Sequence, residues 1–274
     1  MTPGHPPQSD GCRHGTCRAP GRGGRHDHVA PRHRPRGPAR RRPRGLAAHA
    51  GGAAREKAHT REGNAIAAAR RRLPMTEVDA GATLVGPDGP VSFLDVFEGR
   101  DQLVAYKHMW HPGAGIEGQC EGCTASIWSL QDAVYLHHRG VSFAVFCEGP
   151  WDEVAPYVEF MGYTVPWYSM LGVTDEAVGG GLSDDRGLLS FYLRVGDRVF
   201  LTNETTYRGV EAVMAQAQLL DMTVYGRQEE WEDSPEGWPR HPTGTWWKAD
   251  GRPVPQWTRP GAAPAGAVTP HHHH

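Results

Sequence analysis

Two short apolar runs, residues 102–106 and 141–146, restrict the fold of this chain more than any other feature, because of what separates them. Each is too short for a buried helix and is bounded by polar or turn-forming residues, so each reads as a buried strand. Arg100 and Asp101 precede the first run, and a loop over 110–118 follows it. From Cys123 onward Ile127, Leu130, Val134 and Leu136 recur at roughly helical spacing. His137, His138 and Arg139, closed by Gly140, make a helix C-terminus. Strand, helix, strand is a βαβ unit, which predicts a parallel strand pair with a right-handed crossover. A second helix is predicted over 151–161, ending at Gly162.

The flanking sequence fills in a layered domain. Residues 53–73 are rich in Ala, Glu, Lys and Arg and stop at Pro74, which predicts an N-terminal helix. Runs at 82–85 and 91–93 around Gly86-Pro87-Asp88-Gly89 predict a hairpin, followed by a helical turn at 94–98. Further on, 188–195 and 198–202, split by Gly196 and Asp197, read as an antiparallel hairpin leading to a helix over 207–220. A mixed sheet with helices on both faces is an α/β sandwich of the thioredoxin kind.

Charge divides the chain unevenly. Residues 1–74 hold 16 Arg and 1 Lys against 4 acidic residues, a balance of +13, so a total of −2 leaves −15 on the rest. Residues 1–52 are Gly, Pro, Arg and His with almost no Leu, Ile or Phe, and cannot bury enough apolar surface to offset the entropy of ordering. They are expected to be a disordered basic arm. Arg40, Arg41, Arg42 and Arg44 could neutralise phosphates, but without interleaved aromatics or a folded motif no nucleic-acid partner is expected. Cys12, His14 and Cys17 lie in a Gly-rich stretch whose spacing does not make a metal site. The organisation read here is the arm, a domain over 53–227, a Trp- and Pro-rich tail over 228–260 packed on the domain, and a disordered end over 261–274. Trp231, Trp238, Trp246, Trp247 and Trp257 mark the tail. No apolar run reaches eighteen residues and five cysteines do not make a disulfide framework, so no membrane partner and a reducing cytoplasm are expected. A homodimer stays open.

The chemistry centres on Cys120-Glu121-Gly122-Cys123, at the junction of a buried strand and a helix N-terminus. Unpaired backbone N–H groups and the helix dipole favour a thiolate there, which makes Cys120 the nucleophile. Cys123, one helical turn on, is placed to resolve a mixed disulfide. Glu121 should oppose the thiolate, while Lys107, His108 and His111 would favour it if they face the pair. The same region supports a second reading, since His108, His111, Cys120 and Cys123 could form a tetrahedral zinc set on a non-catalytic module. Cys147, at the end of the second strand, reads as a buried small hydrophobe. Asp184, Asp185 and Arg186 read as a surface turn, and Arg208 at a helix start could bind an anion.

Several stretches together resemble a bacterial family of thioredoxin-like proteins, domain of unknown function 899. They are Arg55 to His59 with Arg70 to Pro74, Gly86 to Gly89 leading to Leu94 to Phe97, Gly118 to Cys123, Met161 to Trp167, and Thr206 to Gly209 before Leu219 to Asp221. The resemblance covers residues 53–255. It implies the peroxiredoxin-like branch of the thioredoxin superfamily and an oxidoreductase role with an unassigned thiol or disulfide substrate and electron donor. The family's cysteine motif falls on Cys120 and Cys123. Thioredoxins place a cis-proline before the strand facing the cysteines, whereas this chain has Gly187-Leu188-Leu189 before Ser190. The Thr-x-x-Cys and following Arg of typical peroxiredoxins are also missing around Cys120, so peroxide reduction is not expected.

Overall fold

The computed structural model describes residues 47–180, 187–244, 248–249 and 252–253. The basic arm to residue 46, the turn at Asp184 to Arg186, Trp246, Trp247, Trp257 and the C-terminal histidines lie outside the described residues. Helix α1 (Ala47–Arg70) begins six residues before the predicted start and is exposed along nearly all of the length for which burial is described. Its Ala, Glu, Lys and Arg residues form a helix by propensity rather than by burying a face.

Eight strands form one mixed sheet, running across it in the order β1 (Thr76–Val78), β8 (Arg198–Thr206), β7 (Leu188–Val195), β4 (Gln102–His108), β5 (Val141–Cys147), β6 (Trp167–Ser169), β2 (Thr83–Gly86) and β3 (Gly89–Ser92). Strand β4 (Gln102–His108) pairs in parallel with β5 (Val141–Cys147), as the βαβ pattern predicts, from Gln102 opposite Val141 to His108 opposite Cys147. On the other side β4 runs antiparallel to β7 (Leu188–Val195), which pairs with β8 (Arg198–Thr206) as the predicted hairpin. The predicted N-terminal hairpin is β2 (Thr83–Gly86) with β3 (Gly89–Ser92). Two short strands had no counterpart among the predicted elements: β1 (Thr76–Val78) pairs with β8 at the edge, and the three-residue β6 (Trp167–Ser169) lies between β5, to which it is parallel, and β2. A further pair of two-residue strands, β9 (Lys248–Ala249) and β10 (Arg252–Pro253), lies outside this sheet.

Side chains alternate across the sheet. Tyr106, Phe143, Val145 and Cys147 point to one core, shared with Val154, Tyr157 and Trp167. Leu103, Ala105, Ala144 and Phe146 point to the other, shared with Phe93, Phe97 and Tyr192. Lys107 falls on the second face and is fully buried. Its ammonium donates to the carbonyl of Gly180 at 2.8 Å and pairs with Glu204 at 3.3 Å.

Two predicted helices are shorter than their periodicity implied. Helix α2 (Glu121–Trp128) stops at Ser129, and a separate turn, α3 (Val134–His137), restarts where Asp132 Oδ1 accepts from the Val134 N–H at 2.7 Å. The spacing of Ile127, Leu130, Val134 and Leu136 runs across the break, so periodicity alone could not reveal it. The predicted helix 207–220 is a 3-10 segment, Tyr207–Val213, followed by α6 (Ala215–Asp221). By contrast α4 (Trp151–Met161) has its predicted bounds, with Pro150 at its N-cap and Gly162 left-handed at its end. A short helix, α5 (Glu176–Gly179), had no counterpart in the sequence reading. No described helix is long and apolar enough to cross a membrane.

Candidate active site

The loop from β4 to α2 delivers Cys120 to the helix N-terminus, and the structure shows why it holds its shape. Gln119, buried at its tip, donates through Nε2 to the carbonyls of His111 at 3.1 Å and Gly115 at 3.0 Å. Its Oε1 accepts from the His111 N–H at 3.1 Å. Glu153 on α4 accepts from Trp110 Nε1 at 3.3 Å and from the Gly113 N–H at 3.0 Å. Gly118 passes so close to Ala114 that a Cβ would sit 2.6 Å from its carbonyl oxygen. The glycine-rich loop is thus clamped by side-chain amide and carboxylate groups rather than loose.

Cys120 is the N-cap of α2, and its sulfur accepts from the Cys123 N–H at 3.3 Å. Thr124 locks the first turn: its hydroxyl donates to the Cys120 carbonyl at 2.7 Å and lies 2.7 Å from the Tyr157 hydroxyl. The Cys123 thiol beside Cys120 is the main influence holding the Cys120 pKa below its ordinary value. The backbone N–H groups of Cys123 and Gly122 act the same way, against partial burial. Glu121 opposes this as the sequence suggested, but most weakly of these influences. Cys123 is buried, and desolvation followed by the neighbouring Cys120 drives its pKa well upward. Both are free thiols.

Behind Cys123 lies Tyr106, the last residue of the apolar run at 102–106. Burial raises its pKa well above the usual tyrosine value, and its hydroxyl faces both the Cys123 thiol and Ser126. Gly187, directly before β7, packs on the same spot: a Cβ there would overlap the Tyr106 hydroxyl and approach the Cys123 sulfur to 3.2 Å. Only a residue without a side chain fits there.

The two histidines and Lys107 do not face the pair together. Lys107 turns to the opposite side of the sheet. His108 is fully buried, its Nδ1 2.6 Å from the Met109 carbonyl and its Nε2 3.5 Å from the Tyr157 hydroxyl. The first contact makes Nδ1 the protonated nitrogen. Burial lowers the His108 pKa to about 3, so it carries no charge to share with a thiolate. His111 is exposed on the wall of the cleft. Among the described residues no three His, Cys, Asp or Glu side chains are arranged to hold a metal ion, so the four donors of the zinc reading do not converge. Cys147 is buried, and desolvation pushes its pKa up to about 12, as expected of an inert thiol.

Cys120 opens on a cleft of about 660 Å³. One wall is the cysteine turn, and the other is built from the 3-10 segment and the tail. Tyr207 has a left-handed backbone, φ 51°, which is strained for an aromatic residue, and Gly209 packs onto Thr205 where a Cβ has no room. Together they fold the chain back over the site. Arg227, nearly buried, forms a bidentate pair with Glu211 at 2.7 and 2.8 Å and a second with Asp221 at 2.6 and 2.7 Å. Arg208 lies 4.7 Å from the Trp231 ring centroid and is paired with Glu211 at 3.3 Å, so its charge is already engaged. Buried Glu229 accepts from Trp231 Nε1 at 2.6 Å and from the Gly244 N–H. Glu232 accepts from the backbone N–H groups of Arg227 and Glu229 at 3.1 and 2.8 Å. Sequence reasoning missed this wall, together with Tyr106 and Gln119. The adjacency of Gln119 to Cys120 was the one available signal.

Among solved structures, the chain is similar to a Chlorobium tepidum protein described as a thiol:disulfide interchange protein DsbE and to Xanthomonas campestris peroxiredoxin Q. The first is 13% identical, with 54% of this chain and 97% of that one covered and a TM-score of 0.39. For the second the values are 10%, 54%, 96% and 0.34. Peroxidoxin BcpB of Mycobacterium tuberculosis shares 14% identity over 53% of this chain and 98% of its own, with a TM-score of 0.34. No curated protein matches the sequence. The model of a family described as "Bacterial protein of unknown function (DUF899)" matches residues 41–251, beginning ahead of the boundary at residue 53 that the sequence suggested. With more than three quarters of its length matched, the chain belongs to the DUF899 family, on a mixed-sheet α/β fold.

Proposed function

We propose that this protein is a thiol–disulfide oxidoreductase in which Cys120 attacks and Cys123 resolves. The observation that carries the reading is the Cys120 sulfur at the N-cap of α2, accepting from the Cys123 N–H at 3.3 Å and opening on the cleft. The Cys120 thiolate attacks one sulfur of a disulfide; that S–S bond breaks, and the departing thiolate takes a proton from solvent. A mixed disulfide to Cys120 results. Cys123 then gives up its proton, attacks the Cys120 sulfur and displaces the second thiolate, leaving an intramolecular disulfide and two reduced product thiols. A dithiol donor restores the pair by the reverse exchange. Tyr106, protonated and facing Cys123, supplies a hydrogen bond to the thiolate that forms there in the second step. The reading goes with a reducing, cytoplasmic setting in which the pair rests as thiols.

Counting thiols on the full chain before and after mild oxidation tests this. Two thiols should disappear together under oxidant and return with dithiothreitol, and Cys120→Ser should abolish the exchange. Thiols that oxidise independently, or only between chains, would contradict it.

A further inference from the structure

The wall facing Cys120 is positioned to decide what can reach the sulfur. Resting on the oxidoreductase reading above, we infer that the substrate is a small organic disulfide rather than the disulfide of a folded protein. A protein disulfide carries polypeptide on both sides of each cysteine, and that chain must lie along the surface beside the attacking sulfur. Here that surface is taken up by Tyr207, Arg208, Val210 and Glu211 of the 3-10 segment and by the tail around Arg227, Trp231 and Gly244, which line the same cleft as Cys120.

The wall is not loosely held. Arg227 ties the tail to Glu211 and Asp221 through four charge-assisted hydrogen bonds, all 2.6–2.8 Å long. Glu229 and Glu232 accept from three backbone N–H groups and the Trp231 indole, which fixes the path of the tail. Moving it aside to admit a polypeptide would break all four of these bonds and strip the buried Arg227 guanidinium of both its carboxylates. The space that is left, about 660 Å³, falls within the range that encloses a small molecule. Its lining suits an uncharged or weakly polar one. Val210, Met214 and Trp231 offer apolar surface, while Arg208 and Arg227 are already paired with carboxylates. Such a disulfide enters end-on, with its S–S bond in line with the Cys120 sulfur. Its two halves leave as the product thiols.

The test is single-turnover oxidation of the reduced full chain, following loss of the thiol pair, with bis(2-hydroxyethyl) disulfide and with insulin as probes. The small disulfide should react faster per disulfide by about tenfold or more after correction for each probe's rate with free dithiothreitol. Trp231→Ala, which lowers the wall, should move that ratio toward insulin. An equal or faster reaction with insulin in the unaltered chain would overturn the inference and leave the oxidoreductase reading standing. If neither probe oxidises the pair faster than it oxidises a free dithiol, the oxidoreductase reading itself fails and the substrate inference falls with it. The comparison in the unaltered chain decides the matter even if the variant does not fold.

Discussion

Cys120 lies between strand β4 and α2, and Cys147 ends the adjacent parallel strand β5 shortly before α4, yet their chemistry is opposite. Cys120 occupies the N-cap of α2 itself, where the Cys123 thiol first, and then the backbone N–H groups of Cys123 and Gly122, lower its pKa. Cys147 is the last residue of β5, three residues short of the Pro150 cap of α4. It sits in the core with its sulfur 3.9 Å from the Tyr168 carbonyl, and its pKa rises to about 12. In the cap and beside a second thiol the sulfur is favoured as a thiolate, whereas in the core at the end of β5 desolvation outweighs the Gly149 N–H.

The largest effect should come from exchanging each sulfur for oxygen. Cys120→Ser should lower the rate of oxidation by a small disulfide roughly a hundredfold or more, whereas Cys147→Ser should leave it within about twofold. Stopped-flow thiol assays would show this, and comparable losses in the two variants would break the contrast.

Acid should expose the buried strand end next. His108, opposite Cys147 in the sheet, has a folded pKa of about 3 against about 6.5 when unfolded. Because the folded pKa is lowered, this contribution to stability is complete above about pH 6.5 and is lost as pH falls toward 3, at roughly 1.4 kcal/mol per pH unit. Urea unfolding at pH 7 and pH 4.5 should show a fall in stability that His108→Gln reduces. An equal fall in that variant would remove His108 from the account.

Stability should separate the two cysteines in the reverse order of reactivity. Cys147→Ser places a hydroxyl in an apolar core and should cost about 1–3 kcal/mol. Cys120→Ser keeps a favoured N-cap and should cost little. Chemical denaturation of both variants checks the order. The smallest effect expected is on the second step: Tyr106→Phe removes one hydrogen bond of about 1 kcal/mol and should slow release of the second thiol about fivefold, leaving alkylation of Cys120 unchanged.

Much of the sheet was legible because its strands are apolar runs with turn residues between them. The parallel β4–β5 pair, the β7–β8 hairpin and the helix over 151–161 all follow from local pattern. The helix breaks were hidden because Leu130 and Val134 keep the apolar spacing across them, while the cue, Asp132 capping Val134, is a single residue. Cys120 and Cys123 were legible as a motif placed between strand and helix. The role of Tyr106 was not, since a tyrosine ending a buried strand looks like core until the sheet sets it against Cys123. Gly187 could be read only as part of a Gly-Leu-Leu stretch where thioredoxins carry a proline; its close approach to the Tyr106 hydroxyl is a tertiary fact. The far wall lay beyond local reading altogether, because Arg227 meets Glu211 and Asp221 only after the chain has turned back on itself.

The measurement that bears most directly on the account is the pH profile of alkylation at each cysteine of the reduced full chain, resolved by peptide mass spectrometry. Cys120 should react fastest, with a midpoint below the free-cysteine value of about 8.5, and should lose that reactivity when the pair is oxidised. Cys120 reacting no faster than a free thiol, with a midpoint near 8.5 or above, would contradict it.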